Sequence, residues 1–579
     1  MKISGSQVVV ECLIEQGVDT VFGYPGGAIL NIYDELYKNS KRLRHILTAH
    51  EQGASHAADG YARSTGKVGV CLATSGPGAT NLVTGIATAY MDSSPIVAIT
   101  CNVATSLLGK DSFQEIDICG VTMPITKHNF MVKKIEDLAD TIRAAFLIAK
   151  SGRPGPVLID IPKEVTAPNN LVDFTPLKKP EDAKKLLEKF APNLRRTFNV
   201  PKPSDAEIKA AAKLINSSKQ PVIYAGGGVI ISNACKELFD FATKASIPVS
   251  ESFMARAAFP ANNPLCTWMV GMHGTKASNM AVTECDLLIA LGARFSDRVI
   301  SDVSKFAPNA KILHIDVDPA EIGKNVDTGY SMVGDLKAVL ARLLPLVEEK
   351  SRKEWLKKIA AWKKEVPSIY SKEPKDSINP KFICEEIHRV AGDSAFITTE
   401  VGEHQMWTAQ FYPFSKPRTF ISSGGLGTMG FGTGAAIGTQ FANPKARVVA
   451  IAGDGSFRMN CNELATVQHY NLPIVFVVIN NGTLGNVRLW QKLFYGKRYS
   501  ATTLDFGPDW SKLAAAYGID AYKAKNAKEF ADVFAKAFKS KKPAVIDAKV
   551  DIDELVLPMV PGGKAIYDQI MQINEAAFR

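Results

Sequence analysis

The Gly-Asp-Gly-Ser segment at residues 453–456 and the pair Asn480-Asn481 have the residue types and spacing of a metal–diphosphate site. Asp454 directly follows the apolar run 447–452, and Asn481 lies 27 residues further on, at the end of the next such run. Because parallel strands end at one edge of a sheet, both side chains are expected where open α/β folds bind ligands. Carboxylate and amide oxygens suit Mg²⁺, and the glycines and the following helix start admit a phosphate. Each motif alone is typical of a turn; their combination favours the metal–diphosphate site.

Glu51 is the second candidate for chemistry. It follows the apolar run 45–48 and precedes small residues within 54–58, which suit a packed helix better than a solvated one. A buried carboxyl group there could hydrogen-bond a ring nitrogen and help to move its proton. His50 and His56 are six positions apart, so they do not form the HExxH pattern of a zinc site.

Glycines, arginines and acids follow strand-like runs in the middle of the chain. Residues 226–228 are all glycine, Gly292 precedes Arg294 and Arg298, and Asp316 ends a further run. These are the parts of a dinucleotide site, although the match to GxGxxG is poor. The arginines could pair with a pyrophosphate or form structural ion pairs.

The elements that must position these residues are short β-branched runs alternating with longer helical segments. This alternation predicts an α/β protein with three doubly wound parallel-sheet domains. The predicted strands are Lys67–Leu72, Pro95–Thr100, Pro156–Ile161, Pro221–Ala225, Asp286–Leu291, Lys311–Asp316, Arg447–Ala452, Ile474–Asn480 and Ala544–Val550, and the predicted helices include Ala206–Ser217, Asn233–Ala245 and Ala527–Ser540.

Two stretches, 166–204 and 345–380, are rich in proline or charge and are predicted linkers. The first and third domains could share a fold, which the sequence alone does not show. The predicted domains are 1–168 (N-terminal, pyrimidine-binding), 190–345 (central, nucleotide-binding-like) and 375–550 (diphosphate-binding), followed by a tail at 551–579.

Composition excludes several classes of protein. With 46% hydrophobic and 22% charged residues over 579 positions, the chain has the balance of a multidomain globular protein. The apolar run 474–479 is far shorter than the roughly 20 residues of a membrane helix. The net charge of +10 lies largely in lysine-rich stretches such as 353–364, which favour a solvated face over a nucleic-acid-binding element. Nine single cysteines without a CxxC pair indicate a reduced, cytoplasmic protein.

The spacing of the two C-terminal motifs resembles the thiamine-diphosphate motif. The resemblance implies that Asp454, the Asn481 side chain and the Thr483 backbone carbonyl bind Mg²⁺. It also implies that Met429 supports the bent form of the cofactor and that Glu51 hydrogen-bonds its aminopyrimidine ring, favouring the imino form that deprotonates the thiazolium carbon. Its other implied thiamine-diphosphate contacts are Gly27, Pro77, Asn81, His404, Gln405, Gly427, Gly453, Gly455, Ser456 and Met459.

From about residue 3 to 570, the sequence is similar to the acetohydroxyacid synthase family, also called acetolactate synthase, in its large catalytic subunit. The stretches that carry the resemblance are Val21–Ile29, His50–Ala54, Ala73–Asn81, Asp111–Glu115, Thr126–His128, Gly271–Gly274, Gly402–Trp407, Gly424–Gly432 and Pro558–Pro561.

The family resemblance implies a reaction and its substrate side. Pyruvate loses CO₂, and the remaining hydroxyethyl unit is joined to a second 2-keto acid, pyruvate or 2-ketobutyrate, as a step of branched-chain amino-acid synthesis. Phe113, Gln114 and Lys127 are implied catalytic residues, and Trp490 is an implied substrate contact, on the acceptor side.

FAD is implied as a further cofactor without net redox chemistry. Anabolic members carry Arg-Phe-Asp-Asp-Arg, in which Ser296 here replaces the first aspartate, and Glu403, Asn486 and Arg256 also depart from the family pattern. The implied FAD contacts are Gly226, Gly227, Gly228, Gly271, His273, Gly292, Arg294, Arg298, Asp316, Val317 and Asp335.

The family implies a homodimer or homotetramer with active sites at the subunit interface, and the sequence leaves open whether a small regulatory subunit joins it. The alternative is another thiamine-diphosphate lyase on the same fold, such as a catabolic FAD-free acetolactate synthase or a 2-keto acid or acyl-CoA decarboxylase. A degenerate, non-catalytic subunit is disfavoured by the intact Glu51, Asp454 and Asn481.

Overall fold

The structure, a computed structural model, describes residues 1–177, 200–371 and 373–572. Three six-stranded parallel sheets alternate with helices along it, so the predicted α/β class with three parallel-sheet domains is confirmed. Part of the predicted first linker, with Pro180 and Pro192, lies outside the described residues, as do the predicted start of the central domain at 190–199 and the end of the tail at 573–579.

The N-terminal domain has helices on both faces of its sheet. Its strands are β1 Lys2–Ser4, β2 Thr20–Gly23, β3 Arg44–Leu47, β4 Gly69–Ala73, β5 Ile96–Asn102, β6 His128–Met131, β7 Val157–Pro162 and β8 Leu171–Asp173. Its helices are α1 Gly5–Glu15, α2 Leu30–Lys38, α3 Glu51–Thr65, α4 Pro77–Asn81, α5 Val83–Met91, α6 Ile118–Thr122 and α7 Leu138–Lys150. The main sheet has the order β3-β2-β4-β5-β7-β6. Val70 and Leu72 face one core and Cys71 and Ala73 the other, which explains why these strands read as continuous apolar runs.

The central domain has the strand order of a dinucleotide-binding sheet. Its strands are β9 Pro221–Ala225, β10 Val249–Glu251, β11 Cys266–Met269, β12 Leu287–Leu291, β13 Lys311–Asp316 and β14 Tyr330–Val333. Its helices are α8 Asp205–Ser217, α9 Gly228–Ile231, α10 Cys235–Ala245, α11 Lys276–Glu284, α12 Asp297–Ile300, α13 Leu336–Leu343 and α14 Lys353–Trp362. In the order β11-β10-β9-β12-β13-β14, the direction reverses between β9 and β12, where such sheets bind ligands.

The C-terminal domain repeats the strand pattern of the first. Its strands are β15 Phe396–Thr399, β16 Phe420–Ile421, β17 Val448–Gly453, β18 Ile474–Asn480, β19 Asp520–Ala524 and β20 Ala544–Lys549. Its helices are α15 Pro380–Ala391, α16 Glu403–Phe411, α17 Phe431–Ala442, α18 Asp454–Phe457, α19 Leu464–His469, α20 Gly485–Phe494, α21 Trp510–Ala516 and α22 Ala527–Ser540. The order β16-β15-β17-β18-β20-β19 places β15 to β20 where β2 to β7 lie in the N-terminal sheet.

Eight of the twelve predicted elements differ from the observed ones by one or two residues at one or both ends. The predicted strands Pro221–Ala225, Lys311–Asp316 and Ile474–Asn480 and the helix Ala527–Ser540 have the observed bounds. Elsewhere the apolar run and the hydrogen-bonded ladder do not coincide, for example at Pro95, which has no N–H to donate.

Helix α3 of the N-terminal domain packs against helix α17 of the C-terminal domain. A Cβ atom added at Gly60 would lie 2.2 Å from the Ala435 carbonyl oxygen, and one at Gly438 would lie 1.8 Å from that of Ala57. Because only glycine allows backbones so close, these positions set the separation of the two helices. The helix that begins at Glu51 is therefore packed directly on the C-terminal domain.

The predicted linker 345–380 contains the amphipathic helix α14. Trp355 and Ile359 are buried on one face, and the Trp355 indole N–H donates to the Pro221 carbonyl at 3.1 Å. Lysines such as Lys357 face outward, which agrees with the predicted solvated face. No helix within the described ranges is long and apolar enough to cross a membrane.

Candidate active site

Asp454 and Asn481 lie at the same edge of the C-terminal sheet. Asp454 begins α18 directly after β17, and Asn481 follows the last residue of the neighbouring β18. Asp454 is buried, and its Oδ1 atom has no hydrogen-bond partner among the described residues. Burial raises the pKa of this carboxyl to about 6. A buried carboxylate oxygen without a partner is costly unless a cation or donor satisfies it, so this edge fits a bound metal ion.

Two hydrogen bonds orient the Asn481 amide. Its Nδ2 donates to Glu403 Oε2 at 3.0 Å, and its Oδ1 accepts the backbone N–H of Thr483 at 3.3 Å. The Thr483 hydroxyl donates to the Thr502 carbonyl at 2.8 Å. Burial, and then the charge of Glu554, raise the pKa of Glu403 to about 8. Glu403, one of the departures from the family pattern, therefore contacts a predicted metal ligand.

His404 and Gln405 lie in the first turn of α16 beside the Gly-Asp-Gly turn. A Cβ atom added at Gly453 would lie 2.8 Å from His404 Nδ1. Burial lowers the pKa of the His404 imidazole to about 3, so the ring is neutral, and its buried Nε2 has no hydrogen-bond partner in the described part of the chain. Gln405 Nε2 donates to Ser422 Oγ at 2.7 Å and to the Ser423 carbonyl at 2.9 Å.

A glycine-rich loop leads from β16 into α17. Gly427 has φ of 72°, in the left-handed region that favours glycine. Met429 is half-buried in this loop, and Met459 is exposed beside Gly430. The buried Glu400 accepts the Gly430 N–H at 2.6 Å, and burial raises the pKa of Glu400 to about 7. A carboxyl group of the same domain thus holds the loop at the start of α17.

Glu51 is the first residue of α3 and is 8% exposed. Its Oε2 accepts a hydrogen bond from Asn81 Nδ2 at 2.9 Å. A Cβ atom added at Gly78 would lie 3.1 Å from Glu51 Oε1, so α4, which begins at Pro77, packs against the carboxylate. A Cβ atom added at Gly27 would meet no described atom within 4 Å, which leaves open space there. The structure therefore brings together the predicted residues Glu51, Pro77 and Asn81.

Three of the predicted acceptor-side residues have separate surroundings within one chain. Phe113 is 87% exposed. Gln114 has φ of 60°, and its Cβ atom would lie 2.9 Å from a Cβ added at Gly76. Trp490 lies near the central domain, with the Arg298 guanidinium 5.9 Å from its ring centre.

Lys127 is half-buried and contacts the end of α7. Its ammonium donates to the carbonyls of Ile148 at 2.5 Å and Ser151 at 2.6 Å. Burial lowers its pKa to about 7. In this structure Lys127 binds the helix terminus, and its role toward an acceptor stays a prediction.

A cavity of about 1370 Å³ lies at the switch point of the central sheet and extends to both neighbouring domains. Its floor is glycine, because a Cβ atom added at Gly226 would lie 2.0 Å from the Gly292 carbonyl oxygen. Gly271 lies against the Arg298 carbonyl. The lining includes the predicted residues Gly226, Gly227, Gly228, His273, Gly292, Arg294, Arg298, Asp316, Val317 and Asp335, together with Gln405, Gly427 and Trp490.

The charged side chains that line this cavity differ in burial and in hydrogen bonding. Burial raises the pKa of Asp316 to about 6. Arg294 Nη1 donates to the Met91 carbonyl at 3.0 Å, whereas the Arg298 side chain is 62% exposed. Arg256 is fully buried against Glu251 and is not part of the lining. The glycine floor and two arginines fit a nucleotide with a pyrophosphate.

Three family models of known proteins match successive segments of this chain. Residues 3–121 match the N-terminal TPP binding domain of thiamine pyrophosphate enzymes, 208–343 their central domain, and 400–548 their C-terminal TPP binding domain. A "Probable acetolactate synthase large subunit" of Methanocaldococcus jannaschii is 49% identical over 583 residues, covering 99% of this chain and 96% of the relative.

Two further relatives are similar over nearly the whole chain. The "Acetolactate synthase large subunit" of Buchnera aphidicola is 44% identical, covering 99% of this chain and all of the relative. The "Acetolactate synthase" of Mycobacterium leprae is 47% identical, covering 98% of this chain and 90% of the relative.

The chain belongs to the acetolactate synthase large-subunit family of thiamine pyrophosphate enzymes. The predicted family and thiamine diphosphate as cofactor are thereby confirmed. Glu51 falls in the segment that matches the N-terminal binding domain, and Asp454 and Asn481 fall in the segment that matches the C-terminal one.

Sequence reasoning missed several buried carboxylates of this family member. Glu400 and Glu463 hold the starts of α17 and α3. Asp92 accepts the N–H groups of Gly425 at 2.6 Å and Gly424 at 3.2 Å. Their partners are backbone groups distant in sequence, so no local spacing points to them.

Proposed function

We propose that this chain is an acetolactate synthase that decarboxylates pyruvate and joins the two-carbon unit to a second 2-keto acid, pyruvate or 2-ketobutyrate. The observation that carries the proposal is the edge shared by Asp454 and Asn481, where one Asp454 carboxylate oxygen has no hydrogen-bond partner within the described ranges, in a chain of this family. Bound thiamine diphosphate supplies the carbon nucleophile and stabilises negative charge after loss of CO₂. The chain's own residues bind that cofactor, place its proton and exclude water.

In this proposal, Asp454, Asn481 and the Thr483 carbonyl hold Mg²⁺, which neutralises the diphosphate. Support comes from the buried Asp454 Oδ1, to which no described residue donates a hydrogen bond, and from the two hydrogen bonds that orient Asn481. Gly453, Gly455 and Ser456 would let the backbone N–H groups of this turn hold the diphosphate.

Glu51 holds a proton at a ring nitrogen of the cofactor. The Asn81 amide donates to its Oε2 at 2.9 Å, which leaves Oε1 available to the ring. Because Glu51 is 8% exposed, bulk water competes little for this proton. The neutral His404 imidazole near Gly453 can accept or donate a hydrogen bond without adding charge.

FAD is the proposed occupant of the central cavity. The cavity, at about 1370 Å³, is large enough for this nucleotide. The glycine floor admits a pyrophosphate, and Arg294 and Arg298 supply positive charge. Asp316, at the end of β13, would accept ribose hydroxyls in this proposal. Ser296 lines the cavity in place of the family aspartate, which removes one negative charge without closing the space.

The proposed assembly is a homodimer or homotetramer with active sites at the subunit interface, located in the cytoplasm. The separate surroundings of Phe113, Lys127 and Trp490 within one chain agree with a site that two chains complete. A small regulatory subunit is the further partner that the family resemblance implies.

The test is acetolactate formation from pyruvate by the purified protein with thiamine diphosphate and Mg²⁺, with and without FAD. We expect product only with all three cofactors. Product without FAD would overturn the FAD assignment but keep the carboligation. Bound thiamine diphosphate without any product from pyruvate would overturn the proposed substrate.

A further inference from the structure

We propose that Glu463, in the C-terminal domain, is a positioning residue for Glu51. The inference rests on the proposed role of Glu51. Glu463 lies between the Gly-Asp-Gly turn and α19, whereas Glu51 begins α3 in the N-terminal domain. Its carboxylate sets where that helix starts.

The contacts of Glu463 are directed at the two residues before Glu51. Its Oε1 accepts the backbone N–H groups of Ala49 at 3.1 Å and His50 at 3.0 Å. Its Oε2 lies 3.1 Å from the same Ala49 N–H and accepts the Thr466 hydroxyl at 2.6 Å. Every one of these partners is a donor, so the site is built for a carboxylate.

Glu463 leaves the chain around Glu51 little freedom. It is fully buried, and a Cβ atom added at Gly53 would lie 2.0 Å from its Oε1. Within the N-terminal domain, His50 Nδ1 accepts the backbone N–H of Gln52 at 3.1 Å. Negative charge at a helix N-terminus is also stabilising. Glu463 thus satisfies the N–H groups of Ala49 and of the N-cap residue His50 across a domain boundary.

The functional consequence follows from geometry. Proton transfer requires the Glu51 carboxyl within hydrogen-bond distance of the ring nitrogen. A displacement of about 1 Å can cost about 100-fold in rate. Loss of Glu463 frees the backbone that carries Glu51 while leaving Asp454 and Asn481 intact.

The first experiment compares Glu463→Ala and Glu463→Gln with the control Glu386→Ala, a buried glutamate of the same domain that pairs with Arg389. We expect kcat to fall about 10- to 100-fold in Glu463→Ala, with the Kd for thiamine diphosphate within about twofold. Glu463→Gln, which keeps one acceptor oxygen, should restore most of the rate, and the control should retain it. An equal loss in the control, or loss of cofactor binding without loss of kcat, would contradict the proposal.

A second measurement needs no turnover. Backbone amide hydrogen exchange of the peptide containing Ala49 and His50, in protein without cofactor, should speed up in Glu463→Ala and not in Glu386→Ala. Unchanged exchange there would overturn the proposed contact whatever the enzyme's substrate proves to be.

The deciding experiment combines Glu463→Ala with Glu51→Gln. If Glu463 acts through Glu51, its removal should change the residual rate of Glu51→Gln by less than about twofold. Additive losses would show that Glu463 acts elsewhere. Normal turnover of Glu51→Gln alone would instead refute the proposed function of Glu51, so the two failures are distinguishable.

Discussion

The N-terminal and C-terminal domains have the same sheet topology but different side chains at the carboxyl edge of the sheet. Gly69 pairs with Ile96 in the first sheet as Val448 pairs with Ile474 in the third. Counting along both strands from these pairs places Ser75 at the position of Asp454.

The same register equates Val103 with Asn481. Neither Ser75 nor Val103 can replace the carboxylate and amide of the proposed metal site. The N-terminal sheet thus has the edge without the ligands, and it contributes Glu51 instead.

An Asn–Asp hydrogen bond lies at the same edge in both domains. Asn102 Nδ2 donates to Asp160 Oδ2 at 2.7 Å, and Asn480 Nδ2 donates to Asp547 Oδ1 at 2.9 Å. Both pairs join equivalent strands, β5 to β7 and β18 to β20. Strand order and the Asn–Asp pair are therefore common to both domains, whereas the position after the asparagine holds Asn481 in one domain and Val103 in the other.

The largest effect is expected where the two edges differ most. Asp454→Ala should weaken thiamine-diphosphate binding at fixed Mg²⁺ by more than about 100-fold, because loss of a metal ligand exceeds the 10- to 100-fold cost of losing a ligand's supporting partner. Ser75→Ala, at the equivalent position, should leave binding within about twofold. Isothermal titration calorimetry measures both, and equal losses would break the comparison.

Glu51→Gln should separate proton handling from binding. We expect kcat to fall about 100-fold, since an acid–base group of this kind contributes about 10²- to 10⁴-fold, while cofactor affinity stays near that of the wild type. Steady-state rates with pyruvate and a cofactor titration give the two numbers. A near-normal kcat would place the proton chemistry in another residue.

The Asn–Asp pairs should differ in their effect on stability. Asn102→Ala leaves Asp160, which is fully buried, short of one donor and should cost about 2 kcal/mol. Asn480→Ala should cost less than about 1 kcal/mol, because the partly exposed Asp547 can recruit water. Urea unfolding of both variants tests the ranking, which a larger loss in Asn480→Ala would reverse.

The Asn102–Asp160 pair should also make the free energy of unfolding depend on pH. Burial raises the pKa of Asp160 to about 6 from an ordinary value of 3.8, so the chain takes up a proton at this site on folding between those pH values. The contribution of Asp160 to the free energy of unfolding should therefore fall by about 1.5 kcal/mol from pH 4.5 to 6. The difference in unfolding free energy between wild type and Asp160→Asn, measured across this range, gives the slope, and a difference that rises with pH would contradict it.

The features that could be predicted are those with a local signal. Apolar runs located strands such as β9, β13 and β18, and the residues after them located the metal edge and the glycine floor, because ligands gather where parallel strands end. Strand order gave no such signal, so the common topology of the outer domains emerged only from the structure.

The unpredicted features depend on contacts between distant segments. Glu463 looks like any glutamate near a helix start, yet its partners lie more than 400 positions away. Resemblance predicts Lys127 at the acceptor side, and no local signal indicates its hydrogen bond to the end of α7. In 345–380, the lysines masked the spacing of Trp355 and Ile359 that makes α14 amphipathic.

The central cavity has a consequence for the lifetime of the protein. Met91 and Asp92 of the first domain, the glycines of the second and the loop at Gly424–Gly427 of the third all line it, so a small molecule that filled the cavity would contact all three domains at once. Such a ligand stabilises only the docked arrangement, by about 2.7 kcal/mol at 100 times its Kd. The chain with this cavity filled should therefore resist proteolysis longer than the chain with the cavity empty.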